Sequence, residues 1–192
     1  MKETGNILFS GVGGQGILLA SEVTAYSLLQ AGHDVKKSEV HGMAQRGGSV
    51  TAQLRYGKKV YSPLIEPGCA DILVAFEMME ASRYAEYLHK DTKVVVNSQK
   101  ILPPAVATGQ MAYPDDVLAN LRELGITVVE VDAFDIAKEV GEPKTANVVL
   151  VGAMSAFLPV DKENYIEVIN TRVKEQFRDV NLKAFEAGRK AS

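Results

Sequence analysis

The sequence predicts an α/β protein built on a mostly parallel sheet with helices on both faces, and three observations carry that expectation. Apolar, largely β-branched runs at 71–76, 94–96 and 126–131 alternate with stretches of helical apolar spacing at 78–89, 114–124 and 133–140. That is the pattern of strands covered on both faces by crossover helices. The run GVGGQG, 11–16, joins a short apolar stretch to a helix-spaced one, the strand–turn–helix opening of a Rossmann-like sheet. Hydrophobic residues make up 46% of the 192 and charged ones 23%, enough for a packed core and too apolar for a disordered chain.

Taken in order, 6–10 is the first strand and 17–31 the first helix, stopped at Gly32. Residues 34–40 make a second strand, interrupted in its apolar pattern by Lys36 and Lys37. After a loop at 41–48, Val50, Ala52 and Leu54 alternate with Thr51, Gln53 and Arg55, the period of a half-buried strand. Tyr56-Gly57-Lys58-Lys59 then turns the chain back into 60–62, giving an inserted β-hairpin. Pro63 and Pro67 break the chain before the strand at 71–76 and the helix at 78–89; the next strand, 94–96, ends at Asn97-Ser98.

Residues 99–113, with Pro103, Pro104 and Gly109, read as irregular or as an extended edge, and Pro114 introduces a helix that Gly125 stops. The strand 126–131 follows, and Asp132 is placed to cap the helix 133–140 before Gly141-Glu142-Pro143. The stretch 145–157 is small and apolar all round, a helix buried on most sides. Asp161 opens an amphipathic helix with Tyr165, Val168, Ile169 and Val173 on one face, and the polar segment 177–192 reads as a docking tail on a single domain spanning 1–192.

Composition excludes several functions. The 21 basic and 24 acidic residues give a net charge of -3 with no long block of one sign, so no nucleic-acid footprint is present. No run approaches the roughly 18 apolar residues of a membrane span, and a cytoplasmic protein is expected. Cys69 is the single cysteine. It allows neither an internal disulfide nor a four-cysteine iron–sulfur cluster on this chain, and it reads as a small core residue. His33, His41 and His89 lack the short spacings of zinc ligands, so no metal site is expected.

Two segments can carry chemistry. Gly11, Gly13 and Gly16 fit G-x-G-x-x-G, with Gly14 and Gln15 between them. In a phosphate cradle the first glycine makes the turn, the second lets backbone N–H groups approach a pyrophosphate, and the third lets the helix pack closely. The same glycines also suit a sharp turn that binds nothing. A dinucleotide site further wants an acid near the end of the second strand; Asp34 is at the wrong end, and Glu39 lies 28 residues beyond Gly11 where about 20 is usual. The second segment, 39–48, gathers His41, Gln45 and Arg46 beside Gly47 and Gly48. Arg46 offers a fork to a carboxylate or phosphate, and His41 and Gln45 offer polar positioning. Against this stands an ordinary solvated loop whose glycines turn the chain.

GVGGQG at 11–16, EVHGMAQRGGSV at 39–50, ADILVAFE at 70–77, Asn147 in its small-residue helix and NLKAFEAG at 181–188 together resemble the gamma-type subunit of the 2-oxoacid:ferredoxin oxidoreductases. The branch that looks most similar is the beta subunit of the indolepyruvate ferredoxin oxidoreductases. The resemblance implies a complex that oxidatively decarboxylates a 2-oxoacid, here an aryl pyruvate such as indolepyruvate, to an acyl-CoA and passes electrons to ferredoxin. It implies that thiamine diphosphate and the iron–sulfur clusters are held by a large partner subunit and none by this chain. The sequence agrees: it has no Gly-Asp dipeptide for a thiamine motif and one cysteine.

On that resemblance the chain is a subunit, inactive alone, whose glycine turn (Gly11, Gly13, Gly14, Gln15, Gly16) and loop (His41, Gln45, Arg46, Gly47, Gly48) face a site shared with the partner and order the 2-oxoacid or CoA. A free subunit would expose an apolar patch and pair with a second copy. Two alternatives stay open: a self-sufficient nucleotide-binding oxidoreductase or binding protein using the 11–16 loop, and a structural adaptor whose glycines only shape an interface.

Overall fold

The computed structural model describes residues 4–41, 48–102 and 104–192. Their elements, in chain order, are β1 (Thr4–Val12), α1 (Ile17–Gln30), β2 (Asp34–His41), β3 (Ser49–Gly57), β4 (Ile72–Ala75), α2 (Met78–Arg83) and β5 (Lys93–Asn97). Then come α3 (Pro104–Ala107), α4 (Val117–Glu123), β6 (Thr127–Val131), α5 (Ala133–Glu139), α6 (Ala146–Ser155), α7 (Lys162–Arg172) and α8 (Arg178–Lys190). The sheet runs β2-β3-β1-β4-β5-β6. β1, β4, β5 and β6 are parallel neighbours, and β3 is antiparallel to both β1 and β2. The α/β class with a mostly parallel sheet is thus the observed one.

The antiparallel pair differs from the expected hairpin. β3 pairs with β2 on one edge and with β1 on the other, from Thr4↔Gly57 to Val12↔Ser49. Both edges being taken, 60–62 has no strand to join. Instead Val60 is buried and its N–H donates to the Asp34 carboxylate at 2.9 Å. Smaller departures have equally local causes. α2 ends at Arg83 because the carbonyls of Glu86 and Tyr87 accept from Gly68 and Ala70, each at 2.9 Å, and so leave the helical path. Asp132 makes no side-chain cap; the Asn97 amide oxygen accepts the Ala133 N–H at 3.1 Å and opens α5 in its place. A short α3 replaces part of the irregular stretch expected at 99–113, and α4 begins at Val117, three residues after Pro114.

Alternation along β1 sends Ile7 and Phe9 into one core and Leu8 into the other. The larger core lies under α1, α5, α6, α7 and α8, and the smaller under α2 and α4, where Cys69 is half-buried rather than central. α6 is buried at every residue from Asn147 to Ser155, which is why its sequence carries no polar face. α8 packs on it through a close crossing of Gly152 and Gly188, with Asn181, Ala184, Phe185 and Gly188 forming its buried stripe. Phe185 stacks on Tyr165 of α7 at 5.1 Å, a pair worth about 1 kcal/mol beyond its buried area. Among the described residues no helix is long and apolar enough to cross a membrane, and no cluster of histidine, cysteine and carboxylate side chains could hold a metal ion.

Candidate functional site

The glycine turn is built differently from a simple phosphate cradle. Gly11 belongs to β1, paired with Val50, so it makes no turn. A Cβ there would sit 2.7 Å from the Phe76 Cβ, and its role is close packing against the end of β4. The Gly13 N–H, the group expected to approach an anion, donates to the Gly48 carbonyl at 2.8 Å. Gln15 staples two strand ends: its amide oxygen accepts the Val12 N–H and its amide nitrogen donates to the Phe76 carbonyl, both at 2.8 Å. Gly16 sits at the α1 N-cap with φ 79°, a left-handed conformation that glycine tolerates. The close packing it permits is on Asn147 of α6, whose side-chain nitrogen would be 2.5 Å from a Cβ and donates to the Gly16 carbonyl at 3.2 Å. Gly14, at φ 103°, is open: a Cβ there would meet nothing within 4 Å.

Gly14, Gln15 and Gly16 form one wall of a cleft of about 390 Å³. It lies where ligands bind in open α/β sheets, beyond the carboxyl ends of parallel strands: the turn follows β1, Phe76 follows β4 and Asn97 ends β5. Its polar lining is amide and cationic, namely Gln15, Asn97, Gln99, Asn147 and Lys144, against apolar faces of Phe76 and Phe134. Among the described residues no carboxylate lines it. The N-termini of α1 and α6 both border it, adding positive partial charge. Such a cleft suits an anionic group beside an apolar body. Asn97 is itself fixed, its nitrogen donating to the Phe76 carbonyl at 3.2 Å. A second groove of about 280 Å³ shares Lys144 and Asn147 with the first and carries Arg172 and Lys174 on its rim; the Arg172 guanidinium stacks 3.5 Å from the centre of the Tyr26 ring.

On the other face of the sheet, the Glu77 carboxylate caps α2 by accepting from the N–H groups of Met79 at 2.8 Å and Glu80 at 3.3 Å. It also takes the Ile101 N–H at 3.1 Å and the Tyr113 hydroxyl, and burial with this bond raises the Tyr113 pKa. Beside it Glu80, almost fully buried, accepts the Ser49 hydroxyl at 2.9 Å. Burial pushes the Glu80 carboxyl above the usual carboxylate range.

Of the residues singled out in the sequence, the structure brings Gly14, Gln15 and Gly16 into the cleft and sets Gly48 against Gly13. The backbone of His41 closes β2; its side chain, with Gln45, Arg46 and Gly47, lies outside the described residues. Glu39 is tied to Lys37 at 2.5 Å on edge strand β2, with β3 between it and β1. Among the described residues, therefore, no acid stands beside the glycine turn to hold a ribose. Sequence reasoning missed Asn97, Gln99, Lys144 and Glu80. A polar Asn97 ending a run of three valines was the one available signal; nothing in the sequence distinguishes Glu80 from a surface glutamate.

The family model for pyruvate ferredoxin/flavodoxin oxidoreductase matches residues 6–191. A relative from Archaeoglobus fulgidus, indolepyruvate oxidoreductase subunit IorB, is 42% identical over 187 residues, covering 95% of this chain and 92% of that protein. Among solved structures, the gamma subunit of a keto/oxoacid ferredoxin oxidoreductase from Geobacter sulfurreducens superposes with a TM-score of 0.73 at 25% identity, covering 97% of both chains. A 2-oxoglutarate:ferredoxin oxidoreductase from Magnetococcus marinus, solved with 2-oxoglutarate, coenzyme A and succinyl-CoA bound, shares the fold at TM-score 0.78 and 21% identity. The match covers all of this chain and 31% of that one.

Proposed function

We propose, from the premise that this chain belongs to the pyruvate ferredoxin/flavodoxin oxidoreductase family, that it is the subunit without cofactors of a 2-oxoacid:ferredoxin oxidoreductase acting on indolepyruvate or a similar aryl pyruvate. In the overall reaction the 2-oxoacid loses CO₂, its acyl carbon becomes bonded to the CoA sulfur as the thiol proton is released, and two electrons leave for ferredoxin. Thiamine diphosphate and iron–sulfur chemistry belong to a large partner subunit, since the residues of this chain do not fit either group: it has one cysteine and no Gly-Asp dipeptide.

The observation that carries the proposal is the cleft at the strand ends, open at Gly14, lined among the described residues by Lys144 and amides and by no carboxylate. In the complex it faces the shared site and holds an anionic group of CoA or of the 2-oxoacid. The Arg46 fork acts on the same anions, and His41 and Gln45 position them. The missing acid beside the glycine turn counts against a self-sufficient dinucleotide enzyme.

The test is reconstitution with a co-expressed large subunit that carries thiamine and cysteine motifs. The complex turns over indolepyruvate with CoA and an electron acceptor, and the isolated chain shows neither turnover nor cluster absorbance. Arg46→Lys in the complex lowers kcat/KM about 10- to 100-fold, the scale of a lost charged hydrogen bond. Turnover by the chain alone, free of partner, overturns the subunit reading.

A further inference from the structure

The glycine turn is held from three sides. Gln15 ties it to the end of β4, Asn147 of α6 holds Gly16, and the Gly13 N–H donates to the Gly48 carbonyl at 2.8 Å. The first two holds come from side chains packed in the wall of the cleft. The third depends on Gly48, whose next residue, Ser49, opens β3 as the ladder partner of Val12.

Ser49 is gripped from α2. Its hydroxyl donates to one Glu80 carboxylate oxygen at 2.9 Å and lies 3.2 Å from the Tyr84 hydroxyl, while Arg83 stands 3.4 Å from the other Glu80 oxygen. The Glu80 side chain is only 2% exposed. Burying a carboxylate is costly, and an apolar residue of similar size over the smaller core would carry no such cost. What the carboxylate adds is a directed acceptor, and the hydroxyl it accepts belongs to the residue next to Gly48. α2 is a firm base for that grip, being capped by Glu77, which also binds Ile101.

We propose that Glu80 is a positioning residue for the glycine turn, acting through the Gly48–Ser49 junction on Gly13 to fix where Gly14 to Gly16 stand in the wall of the cleft. The proposal rests on the reading of that cleft as part of the shared site, and it adds a residue on the opposite face of the sheet. A neutral amide accepts from the Ser49 hydroxyl as a carboxylate does, whereas leucine fills the space and accepts nothing, so the two substitutions separate the bond from the bulk.

The experiment compares wild type, Glu80→Gln, Glu80→Leu and Ser49→Ala, as the free chain and in the reconstituted complex. Amide hydrogen exchange is followed at residues 13–16 and 48–51, and kcat and KM are measured separately for CoA and the 2-oxoacid. Glu80→Leu and Ser49→Ala are expected to speed exchange at both segments at least 5-fold while leaving β5 and α4 protected. In the complex they raise KM for one of the two substrates about 10-fold with kcat changed less than 3-fold, and Glu80→Gln restores wild-type values. Unchanged exchange in Glu80→Leu, or in Ser49→Ala should the leucine variant fail to fold, overturns the proposal, as does failure of Glu80→Gln to rescue. Faster exchange with unchanged KM for both substrates upholds the positioning role and overturns the assignment of the cleft to the shared site.

Discussion

Gly188→Ala tests how α8 is held, because two effects of opposite sign compete at that position. Alanine is favoured over glycine inside a helix by about 1 kcal/mol, so at an exposed site the exchange stabilises. At Gly188 the added methyl falls on the Val149 carbonyl oxygen of α6, 2.8 Å from its carbonyl carbon and 3.0 Å from its Cα. These are helix backbone atoms that no rotamer change can move. α8 must withdraw by about 1.6–2.1 Å to bring the methyl to contact distances of about 3.5–4.0 Å from that oxygen, which also loosens Phe185 against Tyr165. Overpacking of this kind costs about 1–3 kcal/mol, and the rigid obstacle places it at the upper end. Subtracting the propensity gain leaves a net loss of about 2 kcal/mol. For a domain of this size that lowers Tm by about 4–8 °C. Thermal melts followed by circular dichroism measure it, with the exposed Lys183→Ala on the same helix as a control expected to stay within about 0.5 kcal/mol of wild type. A Gly188→Ala melt at or above wild type would refute the close crossing of α6 and α8.

Gly14→Ala should cost only the left-handed backbone strain, about 1–2 kcal/mol, because its Cβ meets nothing within 4 Å, whereas Gly16→Ala adds a 2.5 Å approach to Asn147 at φ 79°. The Gly16 variant should therefore melt lower than the Gly14 variant, and the reverse order contradicts the geometry of the turn. Asp34 is held at about 2, below the ordinary 3.8, first by the Val60 N–H and then by Lys36. A lowered carboxylate pKa contributes stability above pH 3.8 that is lost as pH falls through about 2. The stability gap between wild type and Asp34→Asn should hold from neutral pH to about 4 and close toward pH 2, and a gap indifferent to pH would remove the carboxylate as its cause.

Much of the architecture was legible because its signals are local. Val94, Val95 and Val96 could only be a buried strand, and the small apolar stretch around Val148 to Ala153 could only be a helix inside the protein. The site was half legible. Gln15 could be placed in a strand-to-helix turn, but its two staples run to Val12 and Phe76, the second 61 residues away in sequence, and no pattern near Gln15 announces a partner so distant. The hairpin failed for a related reason. Alternation at 50–55 identifies a strand but not its neighbours, and β3 found both of them upstream in the chain.

The sequence by itself determined the α/β class, the order of most elements, a cysteine count of one, and the family through its glycine turn and its Arg-Gly-Gly loop. These follow from residue type and spacing, which act over a few residues of chain. Only the tertiary structure decided that Gly11 packs rather than turns, that the Gly13 N–H is spent on Gly48, and that Lys144 and Asn97 meet at one cleft. It alone showed Glu80 buried against Ser49, 31 residues apart in sequence. Those contacts join residues whose separation carries no periodic signal, and they form only when burying the two faces of the sheet brings the strand ends together.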